Sequence, residues 1–552
     1  MSCRLSHGVY TESDFRKERS RSPGARLQVP AEVAMKAILK LRQMLREGGW
    51  AYIGLFVVLG NLPLWVDGRF FQKLLISGWF NVDFIAVGIL ALFVPRAVSA
   101  VLFLMAIAVD FLSAICKTYY VTPREILSNA PEVVDMPSRR IALLGSILLL
   151  SLAIAGATFF LPRLRRRLTA ATLLIVFAVG CVATDVWQEY RGNPAGVRLI
   201  LRLEHPQALP VGYLRHELPA RESVLSLMRS ARTDDAVEAA ENGGRAGAPA
   251  QSAAQNAYEL LKSNAQDSQT LPDFVLILAE SWGQSSDAAI RARLVQPYET
   301  ELAGKFTVLQ GSVPFHGPTI SGENRELCGS SGGGSIMDAQ ATELRNCLPD
   351  RLRELGFQAI AVHGMRGRFY HRSDWYPRIG FQEIWFQQQL ASAGLPDCVG
   401  AFTGTCDAAV ADWIGRRLAQ PDAEPRFVYW VTLNSHLPVP IPPPLNAPAS
   451  CAGLPRVAGD VAFCSWYRLV LNLHQSVASL AARSVSRPTI YAIVGDHAPP
   501  FSDPDLRSGF DQNVVPYVIL LPNSMAKTKP APLQAKAASS AGLQHRGRIS
   551  PD

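Results

Sequence analysis

Four short apolar runs in the C-terminal half of this 552-residue chain each end on a residue able to bind a metal or move a proton. Phe274–Ala279 leads into Glu280-Ser281, Ala359–Val362 into His363-Gly364, Phe427–Leu433 into Asn434-Ser435-His436, and Thr489–Val494 into Gly495-Asp496-His497. Glu280, Asp496 and His497 together offer two carboxylates and an imidazole, a donor set suited to Mn2+, Mg2+ or Zn2+. That set lacks a nucleophile. The segment His316-Gly317-Pro318-Thr319-Ile320-Ser321-Gly322-Glu323 follows another apolar run, Phe306–Val313, and reads as the start of a helix. A threonine placed there has its hydroxyl beside helix N–H groups that attract phosphate oxygens. A cation at that hydroxyl would favour its ionised form, which makes a weak nucleophile competent near neutral pH. Spacing alone leaves a second reading open, in which Thr319 is an N-cap.

The elements that must position these residues follow from the same runs. Together with Val514–Leu521 they are short and rich in β-branched and aromatic residues. They alternate with helical candidates at Ala341–Leu355, Asp407–Leu418 and Asp460–Arg483, which predicts an α/β domain with a mostly parallel sheet over 273–522. In such sheets ligands bind outside the carboxyl ends of the strands, where all four runs deliver their polar residues.

The rest of the chain is of another kind. Only 18% of residues are charged and 48% are hydrophobic, against about 25% charged in an average soluble domain. The deficit lies between Trp50 and Trp187. Ala51–Val66, Leu74–Val94, Ala97–Ile115, Ile141–Leu161 and Leu168–Trp187 each approach the ~20 apolar residues that a helix needs to cross a bilayer. We therefore expect an all-α transmembrane bundle of about five helices over 49–187. It follows a basic cytoplasmic segment over 1–48, within which Met35 is an alternative start. Arg96 and the cluster Arg163, Arg165, Arg166 and Arg167 then face the cytoplasm as well. Everything after Trp187 falls outside, in the periplasm of a bacterial inner-membrane protein. The net charge of +8 thus reads as topology. No stretch interleaves basic and aromatic residues as a nucleic-acid site would.

A connector is expected over 188–272, with an amphipathic stretch at Glu222–Arg232 and a Gly/Ala/Glu/Gln-rich segment, Asp234–Asn256, too poor in apolar residues to pack. The tail over 523–552, rich in Ala, Lys, Pro and Ser, is expected to be disordered. Six of the nine cysteines lie in the outer domain: Cys328, Cys347, Cys398, Cys406, Cys451 and Cys464. Their even number and short-range couples suit an oxidising compartment. Sequential pairing, 328–347, 398–406 and 451–464, is our choice among the connectivities that six cysteines allow.

The set Glu280, Thr319, His436 and Gly495-Asp496-His497, in that order, resembles the alkaline phosphatase superfamily. Within it the chain looks like the membrane-bound, sulfatase-like phosphoglycerol and phosphoethanolamine transferases. Thr319-Ile-Ser-Gly-Glu-Asn-Arg-Glu-Leu-Cys-Gly329 is similar to the nucleophile segment of the phosphoglycerol transferase that decorates periplasmic glucans. His363-Gly364 with Phe369-Tyr370-His371-Arg372, and Thr432-Leu433-Asn434-Ser435-His436-Leu437-Pro438, are similar to the head-group and histidine segments of lipoteichoic acid synthase. The resemblance covers about Asp273–Pro522. It implies that Glu280, Thr319, Asp496 and His497 hold one divalent metal, Mn2+ or Mg2+ before Zn2+, with Thr319 as nucleophile. His363, Tyr370, Arg372 and His436 would contact the phosphate and head group. The donor would be a membrane phospholipid and the acceptor a glycan or glycolipid of the cell envelope. Met365 stands where lipoteichoic acid synthases have aspartate, and Tyr370 where they have tryptophan, which bears on the head group more than on the reaction.

One motif points elsewhere. Cys347-Leu348-Pro349-Asp350-Arg351 fits C-x-P-x-R, the outline of the sulfatase signature whose cysteine becomes formylglycine. A half-cystine near a helix is the other reading of Cys347. The competing functions are accordingly a hydrolase of the same superfamily, phosphodiesterase or sulfatase, and a non-catalytic lipid-binding member.

Overall fold

The computed structural model of the chain describes residues 35, 39, 42–43, 49–70, 81–190, 252–265 and 271–525, apart from 122, 131–137, 163, 165–166, 316, 330–334, 339–343, 345, 438–450, 452–453, 455–459, 484 and 502. The amphipathic stretch Glu222–Arg232, the start of the second expected span and the tail beyond 525 lie outside the described residues.

Among the described residues, three helices are long and apolar enough to cross a membrane: Trp50–Asp67, Arg96–Cys116 and Ile141–Phe160. The second expected span shows its later part as the helix Val82–Ala91. The fifth, within the helix Arg167–Tyr190, contributes a shorter apolar stretch, Arg167–Gly180. Bundle helices approach closely where side chains are small, as is usual in lipid. A Cβ on Gly60 would stand 2.9 Å from the Phe103 ring, and one on Gly88 would stand 3.0 Å from Phe56. Phe56, Phe84 and Phe103 fill the bundle's interior. Phe160, Leu149, Leu168, Val176 and Val179 point outward with more than half their surface open. Apolar residues exposed on this scale suit a hydrocarbon surrounding.

The C-terminal domain is built on a seven-stranded sheet with the order β2-β9-β8-β1-β7-β3-β4. Its strands are β1 Asp273–Ala279, β2 Phe306–Pro314, β3 Gln358–His363, β4 Glu383–Trp385, β7 Arg426–Val431, β8 Thr489–Gly495 and β9 Val514–Pro522. β5 Asp397–Val399 and β6 Thr403–Thr405 form a separate antiparallel pair. The five strands β8, β1, β7, β3 and β4 run parallel, while β9 is antiparallel to both β8 and β2. β1, β7 and β8 are buried at every position. Parallel strands covered on both faces read as unbroken apolar runs, which is why they were legible.

Helices Ala288–Glu301 and Asp407–Ala419 pack against the long helix Val461–Ala482. Helix Ala253–Ala265 packs on β8 and β9 and on the helix Thr319–Cys328. Of the segment Asp234–Asn256, expected to be too poor in apolar residues to pack, only 252–256 are described, and these do pack, as the start of this helix; 234–251 lie outside the described residues. Ala253, Ala254 and Ala257 present a buried face of small side chains. The carboxylate of Glu326 caps the helix start, accepting from Ser252 Oγ and Ala254 N, both at 2.8 Å. The helix expected over Ala341–Leu355 is shorter, Leu348–Glu354. Pro349 stands in its first turn, where proline's fixed φ suits a helix start.

Sheet register levels the functional ends. Ala279 pairs with Gly495, Leu278 with Val431, and Val431 with His363. Glu280, Asp496, Thr432 and His363 therefore leave the sheet along one edge.

Candidate metal centre

At that edge Glu280, Asp496 and His497 bring one ligand atom each to within 4.8 Å of one another. The local backbone explains how. Ser281 takes a left-handed conformation, φ 56°, rare for a residue with a Cβ and held only where its surroundings fix it. Its N–H donates to Asp496 Oδ1 at 2.8 Å and its hydroxyl donates to Glu280 Oε1 at 2.7 Å. Glu280 N donates to Thr432 Oγ1 at 2.9 Å, and Ser435 Oγ donates to the Glu280 carbonyl at 2.6 Å. Asp496 Oδ1 also accepts from His497 N at 2.6 Å. His497 directs Nδ1 to the Ala498 carbonyl at 2.9 Å, which fixes the proton there and turns Nε2 toward Glu280 Oε1 at 3.5 Å and Asp496 Oδ2 at 3.4 Å. A carbonyl behind the imidazole is the usual support of a metal-binding histidine.

Thr319 is the first residue of the helix Thr319–Cys328, with Pro318 at the N-cap position and no side-chain cap. Its hydroxyl is not capping. It lies between the two carboxylates, 2.9 Å from Asp496 Oδ2 and 3.3 Å from Glu280 Oε2, and the shorter contact takes the proton donation. Gly322, on the same helix, comes so near that a Cβ would stand 3.2 Å from Asp496 Cα. Gly495 is tighter still. A Cβ there would stand 1.9 Å from the Trp282 carbonyl oxygen. Gly495→Ala is therefore expected to displace Asp496 and to destabilise the domain by about 1–3 kcal/mol, read as a lower denaturation midpoint in urea.

The centre's electrostatics favour a cation. Burial, and then the Glu280 carboxylate, push the Asp496 carboxyl up to about 7. Burial alone would lower His497, but Asp496 and Glu280 together carry it above its ordinary value. Two buried acids face a single imidazole. One divalent ion would remove that imbalance, and O,O,N donors with a hydroxyl oxygen fit Mn2+, Mg2+ or Zn2+.

The four residues expected to contact phosphate and head group are held in different ways. His363 is buried, with Nδ1 at the Val431 carbonyl (3.0 Å) and Nε2 at Arg372 Nη1 (3.3 Å). Arg372 is buried too, and its guanidinium grips Glu323 through Nε at 2.8 Å. Glu323 in turn accepts from the Tyr376 hydroxyl at 2.7 Å. Sequence reading missed Glu323, although its place four residues after Thr319 sets it on the same helix flank. Tyr370 sits at φ 53° in a left-handed turn with its ring 5.2 Å from the Arg372 guanidinium. His436 directs Nδ1 to the Leu437 carbonyl at 2.8 Å. It follows a turn held by Asp407, whose Oδ2 accepts from Asn434 N at 2.7 Å. Burial lifts the Asp407 carboxyl to about 7.

The bundle reaches this site. Helix Arg96–Tyr119 ends at Tyr120, φ 59°. The Tyr119 ring stacks on His436 at 6.2 Å between centroids, and the Tyr120 ring lies 5.7 Å from His497. Further along, Asn129 Oδ1 accepts from Tyr370 N at 2.9 Å. None of these contacts was visible in the sequence.

The cysteines pair as 328–347, 398–406 and 451–464, the sequential pattern expected. Cys347 is thus a half-cystine at the N-cap of the helix Leu348–Glu354, and the formylglycine reading of C-x-P-x-R falls.

Residues 272–541 match the Sulfatase family model. No curated protein matches the chain. Similar solved structures include the lipoteichoic acid synthase LtaP from Listeria monocytogenes, at 13% identity over 45% of this chain and 65% of that one, TM-score 0.33. The phosphoglycerol transferase GacH of Streptococcus pyogenes matches at 16% identity over 48% and 73%, TM-score 0.33. The C-terminal periplasmic domain of EcEptC from Escherichia coli matches at 14% identity over 47% and 75%, TM-score 0.31. This chain thus spans 65% of the Listeria structure's length. Residues 272–541 thus carry a match to the Sulfatase family model, and the described part of that segment is built on a mostly parallel central sheet, as in alkaline-phosphatase-like folds.

Proposed function

We propose that the chain is a membrane-held phosphotransferase that moves a phosphoglycerol or phosphoethanolamine head group from a phospholipid to a glycan or glycolipid of the cell envelope. One observation carries this reading: the hydroxyl of Thr319 lies between Glu280 and Asp496 at a helix start, beside the end of a membrane-length helix. From Cys116, where the apolar segment ends, to Tyr119 is about 4.5 Å of helix rise, and the Tyr119 ring stacks on His436. A phosphodiester in the lipid head-group layer would be within reach of Thr319 without leaving the bilayer. The three disulfides support an oxidising, extracytoplasmic side for the domain, with the N-terminus of the bundle in the cytoplasm.

In the first half-reaction Thr319 Oγ1 bonds to phosphorus as the bond from phosphorus to diacylglycerol oxygen breaks. The threonine proton has Asp496 Oδ2 as its nearest acceptor, at 2.9 Å. His436, with Nδ1 held at the Leu437 carbonyl, has Nε2 to give a proton to the departing oxygen and to take one from the acceptor's hydroxyl. In the second half-reaction that hydroxyl attacks the phosphothreonine diester, and Oγ1 regains its proton. Glu280, Asp496, His497 and Thr319 would hold a divalent ion, which when bound supplies Lewis-acid stabilisation of charge on the phosphoryl oxygens. Arg372, fixed by Glu323, is a preorganised positive charge next to His363. One phosphodiester replaces another, so the exchange is close to neutral and needs no nucleotide.

The test is intact-mass analysis of the detergent-purified chain after exposure to phosphatidylglycerol or phosphatidylethanolamine without acceptor. A mass gain equal to one head-group phosphate, located at Thr319, is expected. Lipid consumption with no adduct at any time would favour direct hydrolysis instead.

A further inference from the structure

We propose that Tyr120, a residue of the membrane bundle, is a positioning residue of the metal centre, bracing the ligand His497 and the loop that carries Thr319 against each other. The inference rests on the metal-centre reading above. Tyr120 follows the last residue of the helix Arg96–Tyr119 and adopts φ 59°, ψ 21°. An aromatic residue in that region costs on the order of 1 kcal/mol or more and persists only where surrounding contacts fix it. Those contacts come from the catalytic domain. The ring lies 5.7 Å from His497, meets Phe315 edge-on at 5.7 Å, and carries the Arg507 guanidinium 4.3 Å from its centroid. The hydroxyl donates to Gln512 Oε1 at 2.9 Å, and Arg507 Nη1 donates to the neighbouring Thr118 carbonyl at 3.3 Å. On its other side, the Tyr120 carbonyl oxygen lies 3.6 Å from the point where a Cβ on Gly317 would stand. One side chain and its own backbone therefore touch the imidazole, Phe315 and Gly317, the last two just ahead of Thr319.

His497 has its Nδ1 fixed by the Ala498 carbonyl, but a carbonyl restrains one edge of a ring and not its tilt. The Tyr120 ring, itself pinned by Arg507 and Gln512, supplies the second restraint. Groups that orient a ligand from outside the coordination shell commonly account for about 10–100-fold in metal affinity. The bundle is then a component of the centre as well as its anchor.

The experiment is calorimetric titration of Mn2+, and in parallel Zn2+, into the full-length chain in detergent. Tyr120→Gly removes the ring while accepting the left-handed backbone without strain, so the fold should be kept. Tyr120→Asn, another residue tolerant of that conformation, is the second variant. Thermal unfolding in chelator verifies that each is folded. Both are expected to bind the cation about 10-fold or more weakly, while Tyr120→Phe, which keeps the ring and its cation contact, binds like the wild type. A purely mechanical anchor would lower the unfolding temperature and leave affinity unmoved. That result in either folded variant overturns the inference. A wild-type chain that takes up neither cation overturns the metal-centre reading, and this inference with it.

Discussion

Thr319→Ala is expected to reduce head-group transfer by on the order of 10^4-fold or more, with the chain still folded, inserted and able to bind its cation. The size of the effect follows from the chemistry proposed. A ping-pong exchange has no route around its nucleophile, so removing Oγ1 removes both half-reactions, and only slow direct attack by water or acceptor remains. The structural cost is small. Thr319 is buried and its hydroxyl makes one donated hydrogen bond, to Asp496, worth about 1 kcal/mol. Alanine is also a better helix former than threonine. Glu280, Asp496 and His497 keep their ligand atoms within 4.8 Å of each other through hydrogen bonds that Ser281 and His497 N donate to the carboxylates and that Glu280 N donates to Thr432 Oγ1, and none of these passes through Thr319. Thr319→Ser restores the hydroxyl and is expected to regain measurable transfer. Radiolabelled phospholipid turnover, circular dichroism and metal titration on the three proteins separate the outcomes. Full activity in Thr319→Ala would remove the nucleophile from the scheme.

What could be read from the sequence was governed by how locally each feature is encoded. β1, β7 and β8 are central parallel strands, so their burial is written as consecutive apolar residues, and the polar residue after each run marks the sheet edge. Thr319 was legible as a helix start because Gly317 and Pro318 punctuate the chain just before it. Arg372 shows where this ends. Its type fits a phosphate, and nothing along the chain says that Glu323, 49 positions away, already holds its guanidinium. The same holds for Tyr119 and Tyr120, which read as aromatic residues closing a span and in the structure meet His436 and His497. Helix Ala253–Ala265 went unread for a different reason. Its first turns bury only alanines, Ala253, Ala254 and Ala257, ahead of Tyr258 and Leu261, so its start carries little apolar signal, and its cap comes from Glu326, 74 residues beyond Ser252. Local signals place ends of strands and starts of helices; pairings across the fold have to be seen.

Asp496→Asn carries the second large effect, and here the direction of the stability change separates a metal centre from an ordinary buried network. The asparagine carbonyl can accept from Ser281 N and His497 N as Oδ1 does now, and its NH2 would face the Thr319 oxygen and His497 Nε2, which with its proton at Nδ1 is an acceptor. The metal-free variant should therefore be no less stable than the wild type near neutral pH. The sign follows from proton linkage. The Asp496 carboxyl stands at about 7 in the fold against 3.8 for its ordinary value, so between those limits the native state holds more protons than the unfolded chain. Metal-free stability then falls as pH rises across that window. His497, raised above 6.5, adds stability that is complete below that value and is lost as pH climbs through its folded value, so it acts in the same direction. Asparagine lacks the first contribution, and its metal-free profile between about pH 4 and 7 should be flatter. With cation present the order reverses. Binding displaces protons, so wild-type affinity should rise toward about pH 7 and stabilise the fold by about 2.7 kcal/mol at a concentration about 100-fold above Kd. The variant, short of one anionic donor, should show little of that gain and no detectable transfer. Thermal unfolding of both proteins at about pH 5 and pH 7.5, in chelator and in Mn2+, measures the stability changes, and labelled-phospholipid turnover measures the loss of transfer. If Asp496→Asn is stabilised by Mn2+ as strongly as the wild type, the cation binds elsewhere; if it collapses in chelator at neutral pH, the carboxylate is a structural anchor of the sheet edge and its neighbours need no metal to explain them.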